Sequence, residues 1–285
     1  MRIDLHTHSD ASDGTEPPAR VIAQAKAAGL DVVALTDHDS TAGWDEAQAA
    51  AEQLGIGLVR GMELSTRLDG ITVHLLSYLH DPADPPLVEL LEQIKAARVG
   101  RAQAMVARLA EDFPISWEQV RQAAPTGVAV GRPHIADQLV AAGVVPDRSA
   151  AFVRLLHPRG PYYVRYWSVE ATEAVRLVRA AGGVPVFAHP GATARQRIVG
   201  DDGIVRMAGA GLAGLEVRHR DNPPEQQARL TRLAEQLGLV VTGSSDYHGA
   251  GKPNRLGENL TDREALDAIL AQGRLGLVAG AAWER

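Results

Sequence analysis

The sequence predicts an α/β fold, a barrel of seven strands interrupted by a helical insertion. Short apolar runs alternate with amphipathic, alanine-rich segments over most of the 285 residues. This alternation is typical of a mostly parallel sheet covered by helices. One stretch, residues 81–167, has no strand rhythm and keeps helical spacing instead. We therefore expect a barrel formed by residues 1–80 and 168–285, with residues 81–167 as the insertion.

The elements of the barrel follow one another in order, beginning with a strand at the N-terminus. Pro17 and Pro18 suit the first turn of the next helix, and Gly29 suits its end. Asp69-Gly70 lies between two extended segments and predicts a hairpin turn. The later strands are predicted at residues 31–36, 56–60, 71–79, 184–188, 214–217 and 239–242. Their helices are predicted at residues 43–54, 169–181, 202–211, 223–237 and 262–272.

The insertion is predicted to be helical, because its apolar residues recur at helical spacing. The stripe comprises Leu87, Leu90, Leu91, Ile94, Ala97, Arg101, Met105 and Leu109. It predicts one long helix whose stripe contacts the core, and two shorter helices are predicted at residues 116–124 and 132–142. We interpret the insertion as a lid over the barrel mouth. A stabilising subdomain is the alternative, and the two roles are compatible.

The composition excludes several classes of function. A formal net charge of −6 provides no general basic surface for long DNA, although clustered arginines could still bind phosphate. No apolar stretch is long enough to span a membrane. There is no cysteine, so any metal must be held by nitrogen and oxygen atoms. The first strand begins at once, so we expect no signal peptide and a cytoplasmic protein. No protein partner is readable.

Histidines and carboxylates collect at the predicted strand ends, where parallel α/β folds hold their functional groups. His6 and His8 end the first strand, and residues two apart on a strand point to the same side. The pair alone is weak evidence of a metal site, but more ligand types follow later strands. These are Asp13, His38, Glu63, His74, His189, Asp246 and His248. Random placement would scatter such residues over helices too, so the pattern predicts a metal site.

These motifs resemble the polymerase and histidinol phosphatase (PHP) family of metal-dependent phosphoesterases. The matching pieces are His6-Thr7-His8 with Asp13, Thr36-Asp37-His38, Glu63 with His74, His189-Pro190 and Asp246-Tyr247-His248. The resemblance implies a distorted seven-stranded barrel and three divalent ions, Mn, Zn or Fe. It assigns one ion to His6, His8, Glu63 and Asp246. It assigns a second ion to Glu63, His74 and His189, with Glu63 bridging, and a third to Asp13, His38 and His248.

The insertion, with Gly131-Arg132-Pro133-His134, looks most like the branch of this family that acts on nucleotides and RNA ends. Members of that branch are similar to nucleoside 3′,5′-bisphosphate phosphatases and 5′-to-3′ oligoribonucleotidases. The resemblance therefore implies a small phosphorylated substrate, a nucleotide or a short oligoribonucleotide. Two alternatives stay open. One is a phosphatase for another small metabolite such as histidinol phosphate. The other is a catalytically silent metal-binding or stabilising module, which would predict missing ligands, whereas all nine positions are filled.

The charge of such a site favours phosphate. Three divalent ions bring six positive charges, three carboxylates and a bridging hydroxide remove four, and about +2 remains. That excess suits a phosphate dianion and would match a neutral substrate poorly. Bound metal also lowers the pKa of water from about 15.7 to about 7, which would provide hydroxide as the nucleophile at neutral pH.

Five further side chains are candidates for substrate binding. Arg132 and His134 could reach a second phosphate from the insertion, and the alternative is a salt bridge within the lid. Arg195 and Arg197 could also meet phosphate, or could be ordinary solvated charges. His219, at a strand end, could contact substrate or donate a proton to the leaving group.

Four other residues near or outside these motifs also receive predictions. Asp37 and Asp39 flank His38, and we expect them to orient its imidazole. His80 and His157 match no pattern, and we expect both at the surface.

Overall fold

Seven strands form a nearly closed barrel in the computed structural model, which describes residues 1–124, 130–165, 167–195 and 197–279. The α/β barrel with a helical insertion that the sequence predicts is therefore confirmed. The strands are β1 (Ile3–Asp4), β2 (Val32–Leu35), β3 (Gly57–Leu68), β4 (Ile71–Tyr78), β5 (Val169–Glu170), β6 (Val184–Phe187), β7 (Gly214–Arg218) and β8 (Val240–Gly243). Their order around the barrel is β1-β2-β3-β4-β6-β7-β8. The two-residue β5 pairs with β3 outside this path, at a place where the sequence predicts the start of a helix.

One strand of the barrel runs against the others. The pairs β1–β2, β2–β3, β6–β7 and β7–β8 are parallel, whereas β4 is antiparallel to both β3 and β6. The Asp69-Gly70 turn joins β3 to β4, as the sequence predicts, and Asp69 adopts a φ of 51° there. Because β4 is reversed, its first half lies at the barrel end where its neighbours finish. His74 reaches that end for this reason.

The barrel closes just beyond the ends of β1 and β8. Thr7 forms a parallel bridge with Tyr247, and the His8 N–H donates to the Tyr247 carbonyl at 2.8 Å. The buried Asp4 carboxylate accepts the N–H groups of Ser245 at 2.9 Å and Gly257 at 2.8 Å. These bonds join the first and last strands at the end where the strand-terminal histidines lie.

The described residues contain ten α-helices, none of them both long and apolar enough to cross a membrane. They are α1 (Pro18–Ala27), α2 (Trp44–Leu54), α3 (Pro85–Leu109), α4 (Trp117–Ala123), α5 (Arg132–Ala141), α6 (Arg148–Arg154), α7 (Ala171–Ala180), α8 (Asp201–Gly209), α9 (Pro224–Leu237) and α10 (Arg263–Leu270). Gly55 and Gly238 end α2 and α9 with φ values of 64° and 65°, a conformation that only glycine adopts without strain.

The helices α3–α6 lie between β4 and β5 in the chain and have their own apolar cluster. The long α3 belongs to two clusters: Leu90 and Ile94 pack into the barrel core, while Met105 and Leu109 pack with α4 and α5. The sequence does not predict α6 (Arg148–Arg154). This helix is stabilised locally, because the Asp147 side chain accepts the Ala150 N–H at 2.7 Å.

His80 is buried, so the prediction that it lies at the surface is wrong. Its ring lies 5.0 Å from that of Trp44, and its Nδ1 lies 2.9 Å from the Ser77 hydroxyl. Burial lowers the pKa of His80 to about 4. Its position follows from the reversed β4, whose C-terminal end leads to the barrel end opposite the histidine cluster.

The burial of neutral His80 makes the stability of the protein depend on pH. The unfolded state binds a proton below the ordinary pKa of 6.5, whereas the native state resists it until about 4. The contribution of His80 to the free energy of unfolding is thus fully present above pH 6.5. It is lost as the pH falls towards 4, and the loss is up to about 3 kcal/mol. We expect the difference in unfolding free energy between wild type and His80→Gln to shrink over this window in urea titrations. His157→Gln, at a partly exposed histidine, should follow the wild type, and parallel curves for all three proteins would refute this account.

Candidate metal centre

All nine side chains that the sequence predicts as metal ligands meet at one end of the barrel. Each has a nitrogen or oxygen within 3.4 Å of another member of the set. The members are His6, His8, Asp13, His38, Glu63, His74, His189, Asp246 and His248. They come from residues 6–248, so the fold brings together groups that are distant in the chain.

The Glu63 carboxylate lies at the centre of this set. Imidazole nitrogens of His6, His8, His38, His74 and His189 lie 3.0–3.3 Å from its two oxygens. A carboxylate accepts about four hydrogen bonds, and a neutral imidazole carries only one N–H. Glu63 therefore cannot accept a hydrogen bond from all five imidazoles, and at least one ring must turn a nitrogen lone pair towards the carboxylate. A cation between Glu63 and such a lone pair would satisfy both.

The ligand atoms fall into three overlapping groups within which all atoms lie less than 4.8 Å apart. The groups are His6, His8 and Glu63; His38, Glu63 and His74; and His8, Asp13, His38 and His248. They resemble the three ligand sets that the family resemblance implies, with differences. Asp246 is not a member of the first group, although its Oδ1 lies 3.6 Å from His6 Nε2 and 3.5 Å from His8 Nε2. His38 joins the second group, whereas His189 contacts it through Glu63.

The donor atoms fit divalent metal ions. Within the described ranges, the buried atoms His38 Nδ1 and His248 Nε2 form no hydrogen bond. Buried polar atoms normally have a partner, so these two nitrogens indicate a missing one. The Nε2 atoms of His6 and His8 point at each other, 3.0 Å apart. Nitrogen and oxygen donors arranged in this way suit zinc, manganese or iron.

The environment holds most of these groups in the protonation state that a metal ligand requires. Burial would raise the pKa of Asp13, Glu63 and Asp246, but the nearby His and Lys charges hold it well below the usual range. Burial lowers the pKa of His38 well below 6.5 and that of His189 to about 4, which keeps both imidazoles neutral.

Glu216 is a buried member of the site that sequence reasoning missed. This residue of β7 accepts a hydrogen bond from His6 Nδ1 at 2.9 Å and from the His189 N–H at 2.7 Å. The Ser244 hydroxyl also donates to it. Burial would raise the pKa of Glu216, but its contact with the His6 imidazole lowers it to about 2. A carboxylate inside a buried apolar strand is the signal that could have identified it.

Asp37 and Asp39 do not contact the imidazole of His38, so the prediction that they orient it is wrong. Asp37 accepts the Ser9 N–H at 2.8 Å and the Ser12 hydroxyl at 2.6 Å, which holds the loop that carries Asp13. Asp39 accepts the Ser65 N–H at 2.7 Å and pairs with Arg98 of α3. Both carboxylates are thus held by partners other than the His38 ring.

Several strand ends turn sharply into the site. Asp39, His189 and Asp246 adopt φ values of 50°, 33° and 56°, which are strained for residues other than glycine. Each follows the end of a strand, and the turn directs the chain across the barrel mouth.

A cavity of about 600 Å³ lies between the metal centre and the insertion. Seven cationic residues line it: Arg98, Arg101, Arg132, Arg148, Arg195, Arg220 and Lys252. Its apolar lining includes Ile71, Phe152, Val153, Pro158 and Ile198. Arg98 and Arg101 are buried on α3, and Arg101 belongs to the stripe that the sequence predicts to contact only the core. An arginine within an apolar helical stripe is the signal for Arg101.

Two of the five predicted substrate contacts line this cavity. Arg132 lies with its guanidinium carbon 5.4 Å from the Phe152 ring centre. Arg195 pairs with Asp221 and lies 3.0 Å from Asp246 Oδ2. Both side chains line the space that a substrate would enter.

The other three predicted contacts lie off the cavity lining within the described residues. His134 Nδ1 accepts the N–H of Gly131 at 3.0 Å, and Arg197 donates to the Asp69 carbonyl at 3.2 Å. His219 is buried with Nε2 3.6 Å from Asp246 Oδ2. Because its Nδ1 accepts the Asp221 N–H at 3.1 Å, the proton of neutral His219 lies on Nε2. Substrate binding by these three residues stays a prediction.

Comparison with known proteins gives consistent matches. The PHP domain model matches residues 4–114. A 3′,5′-nucleoside bisphosphate phosphatase of Chromobacterium violaceum is 35% identical, with 89% of each chain aligned. A 5′-3′ exoribonuclease of Haemophilus influenzae is 33% identical over 94% of this chain and 97% of the relative. A solved structure from Bifidobacterium adolescentis, assigned as a metal-dependent phosphoesterase, has a TM-score of 0.93 and 45% identity over 95% of this chain and 96% of that one. Coverage this high includes the insertion.

Metal removal should destabilise the protein, because the buried histidines and carboxylates would lose their common partner. At a free Mn²⁺ concentration of 100 times the dissociation constant, we expect about 2.7 kcal/mol of stabilisation. Thermal unfolding with Mn²⁺ and with EDTA measures the difference. Asp246→Asn should reduce the difference in melting temperature between the Mn²⁺ and EDTA samples. Asp202→Asn, a matched change on the exposed face of α8, should leave that difference unchanged. Equal melting temperatures for the wild type with and without chelator would rule out the site.

Proposed function

This chain belongs to the PHP family of metal-dependent phosphoesterases, and on that premise we propose that it removes phosphate from nucleotides or short RNA ends. The reaction would be that of a nucleoside 3′,5′-bisphosphate phosphatase or a 5′-to-3′ oligoribonucleotidase. The two relatives at 35% and 33% identity are named as a 3′,5′-nucleoside bisphosphate phosphatase and a 5′-3′ exoribonuclease.

The cationic cavity beside the metal centre is the observation that carries this proposal. Its lining contains seven arginine and lysine side chains but only two acidic ones, Asp13 and Asp221. Five of these cations also pair with carboxylates on or near the cavity wall: Arg98, Arg148, Arg195, Arg220 and Lys252. A substrate with two or more phosphates can contact more of the seven side chains than a monophosphate can, and bidentate guanidinium groups suit phosphate oxygens. The cavity therefore supports a bisphosphate or an oligonucleotide end over a simple monophosphate.

The apolar part of the cavity supports a substrate with a base. Phe152 and Val153 of α6 lie on the insertion side, and Val153 is 76% exposed. An exposed apolar rim beside a cationic interior suits a ligand with both a planar ring and phosphates. Histidinol phosphate, the alternative small metabolite, carries one phosphate and could contact fewer of these cationic side chains at once.

The nine ligand residues would hold three divalent ions in the sets that the family resemblance implies. When bound, these ions supply positive charge beside the phosphoryl oxygens and lower the pKa of water. The ionised carboxylates and neutral imidazoles described above are ready to hold them. Lys252 Nζ and an Arg195 nitrogen lie 2.9 Å and 3.0 Å from Asp246 Oδ2, at the edge of the cavity. There they would bind phosphoryl oxygens and orient the substrate towards the ligands.

We assign residues 81–167 the role of a lid. Two arginines tie this segment to loops that carry proposed ligands. Arg98 of α3 pairs with Asp39, next to His38, and Arg148 of α6 donates to the Asp13 carbonyl at 3.2 Å. The cavity lies between the two parts, so the insertion would exclude water from a bound substrate.

A phosphate-release screen with Mn²⁺ tests the proposed substrate class. The panel comprises adenosine 3′,5′-bisphosphate, 5′-phosphorylated di- to pentanucleotides, adenosine 5′-monophosphate and histidinol phosphate. We expect the highest kcat/KM for the bisphosphate or the oligonucleotides. Exclusive turnover of histidinol phosphate would replace the proposed substrate, and no turnover by metal-loaded protein would favour a silent module.

Arg132→Ala should weaken binding of a second phosphate. Loss of one charge-assisted hydrogen bond costs about 1.5–3 kcal/mol, so we expect KM for adenosine 3′,5′-bisphosphate to rise roughly 10- to 100-fold. KM for p-nitrophenyl phosphate, which has one phosphate, should change little. Arg154→Ala, at the exposed end of α6, is the matched control. An equal effect of Arg132→Ala on both substrates would place Arg132 outside the second-phosphate site.

A further inference from the structure

We propose that Glu216 is a positioning residue that sets the orientation of His6 and the backbone of His189 at the metal centre. The inference depends on the proposed function in one respect, because it assumes that His6 and His189 are metal ligands. Glu216 itself does not face the cavity. It would act through the two residues it contacts.

The Glu216 carboxylate joins three strand ends beneath the site. One oxygen, Oε1, lies 2.9 Å from His6 Nδ1, just beyond β1, and also accepts the Ser244 hydroxyl after β8. The other, Oε2, accepts the His189 N–H after β6 at 2.7 Å. Glu216 is fully buried, so water does not compete for these bonds. Within the described residues, both oxygens are thus committed to groups that carry or adjoin proposed ligands.

The contact with His6 decides which nitrogen of that imidazole carries the proton. An ionised carboxylate can only accept, so His6 Nδ1 must donate to it. In the neutral ring, Nε2 is then free of a proton and has a lone pair. This Nε2 points to the centre, 3.3 Å from Glu63 Oε2 and 3.0 Å from His8 Nε2. Glu216 therefore selects the tautomer in which the inward nitrogen can bind a metal.

The contact with His189 holds a strained piece of backbone. His189 has a φ of 33°, which a residue with a side chain adopts only when its surroundings require it. The bond from its N–H to Glu216 anchors this turn, and the turn places His189 Nε2 3.2 Å from Glu63 Oε1. The Glu216 carboxylate thus positions one proposed ligand of each of the two ions that Glu63 would bridge, namely His6 and His189.

A glutamine at this position would keep the shape but could not serve all the donors. It offers one acceptor oxygen and one NH₂ group in place of two acceptors. If the glutamine NH₂ took the place of Oε2, it would face the His189 N–H, and two donors would meet. If the NH₂ took the place of Oε1, His6 Nδ1 would have to accept a hydrogen bond from it. The ring proton of His6 would then lie on the inward Nε2. Either arrangement impairs a proposed ligand.

The test is the zinc affinity of the full-length protein, measured by competition with a chromophoric chelator. We expect Glu216→Gln to weaken Zn²⁺ binding 10- to 100-fold, the usual effect of losing a partner of a ligating histidine. Thr231→Val is the matched control, since it removes a partly buried hydrogen bond, from the Thr231 hydroxyl to the Gln227 carbonyl at 2.9 Å, on α9 and outside the ligand set. It should lower stability without changing zinc affinity.

A second readout separates positioning from a general loss of stability. Long-range ¹H–¹⁵N NMR spectra of the zinc-loaded protein report the state of each ring nitrogen, and His6→Gln assigns the signals. We expect a protonated Nδ1 on His6 in the wild type and altered His6 signals in Glu216→Gln. Wild-type zinc affinity together with unchanged His6 signals in that variant would overturn the inference. Failure of the wild type to bind zinc would instead remove the proposed metal centre.

Glu216→Asp covers the case in which the glutamine variant does not fold. Aspartate keeps the negative charge, so His6 Nδ1 should still carry the proton, but its side chain is shorter by one methylene. We expect zinc binding weaker than in the wild type with the His6 tautomer retained. Wild-type affinity in this variant would show that the position of the carboxylate is unimportant.

Discussion

The burial of the Glu63 carboxylate is the constraint around which this end of the barrel is organised. The residue is 1% exposed, and an ionised carboxylate can be buried only if positive or hydrogen-bonding partners surround it. Five imidazoles supply those partners, and they come from the ends of four different strands and the loops behind them. Because a neutral imidazole is a weak partner for a charge, the arrangement is complete only with cations. Stability and chemistry therefore depend on the same carboxylate.

The topology explains how so many groups reach one point. Parallel strands deliver their C-terminal ends to the same edge, and the reversed β4 delivers His74 from its first half. The strained turns at His189 and Asp246 then bend the chain across the barrel mouth. The insertion adds arginines that bind the loops next to the ligands, including the pair of Arg98 with Asp39. Ligand positions and cavity walls are thus connected through short, direct contacts.

Sequence reasoning predicted the parts of the molecule that follow from periodicity and from strand ends. The barrel, the Asp69-Gly70 hairpin and the clustering of residues such as His6 and Asp246 all follow from such local signals. It failed where the direction of a side chain depends on tertiary structure. His80 has no local pattern, yet the reversed strand buries it. Glu216 was overlooked because its partners are distant in the chain, and Arg101 because an apolar stripe was read as core alone.

The bridge between Thr7 and Tyr247 has a consequence for how the protein is made. His8, which follows the first strand, can bind the Tyr247 carbonyl only after some 240 further residues have been synthesised. Ribosomes add about 5–20 residues per second, so some 240 residues separate these partners by on the order of 10–50 s during synthesis. For that time the first strand can pair with β2 on one side only, and its two histidines have no Asp246 or His248 beside them. The nascent chain therefore carries an open sheet edge and an incomplete set of ligands until its last strand emerges. Metal binding is accordingly expected to be among the last events of folding rather than its nucleus.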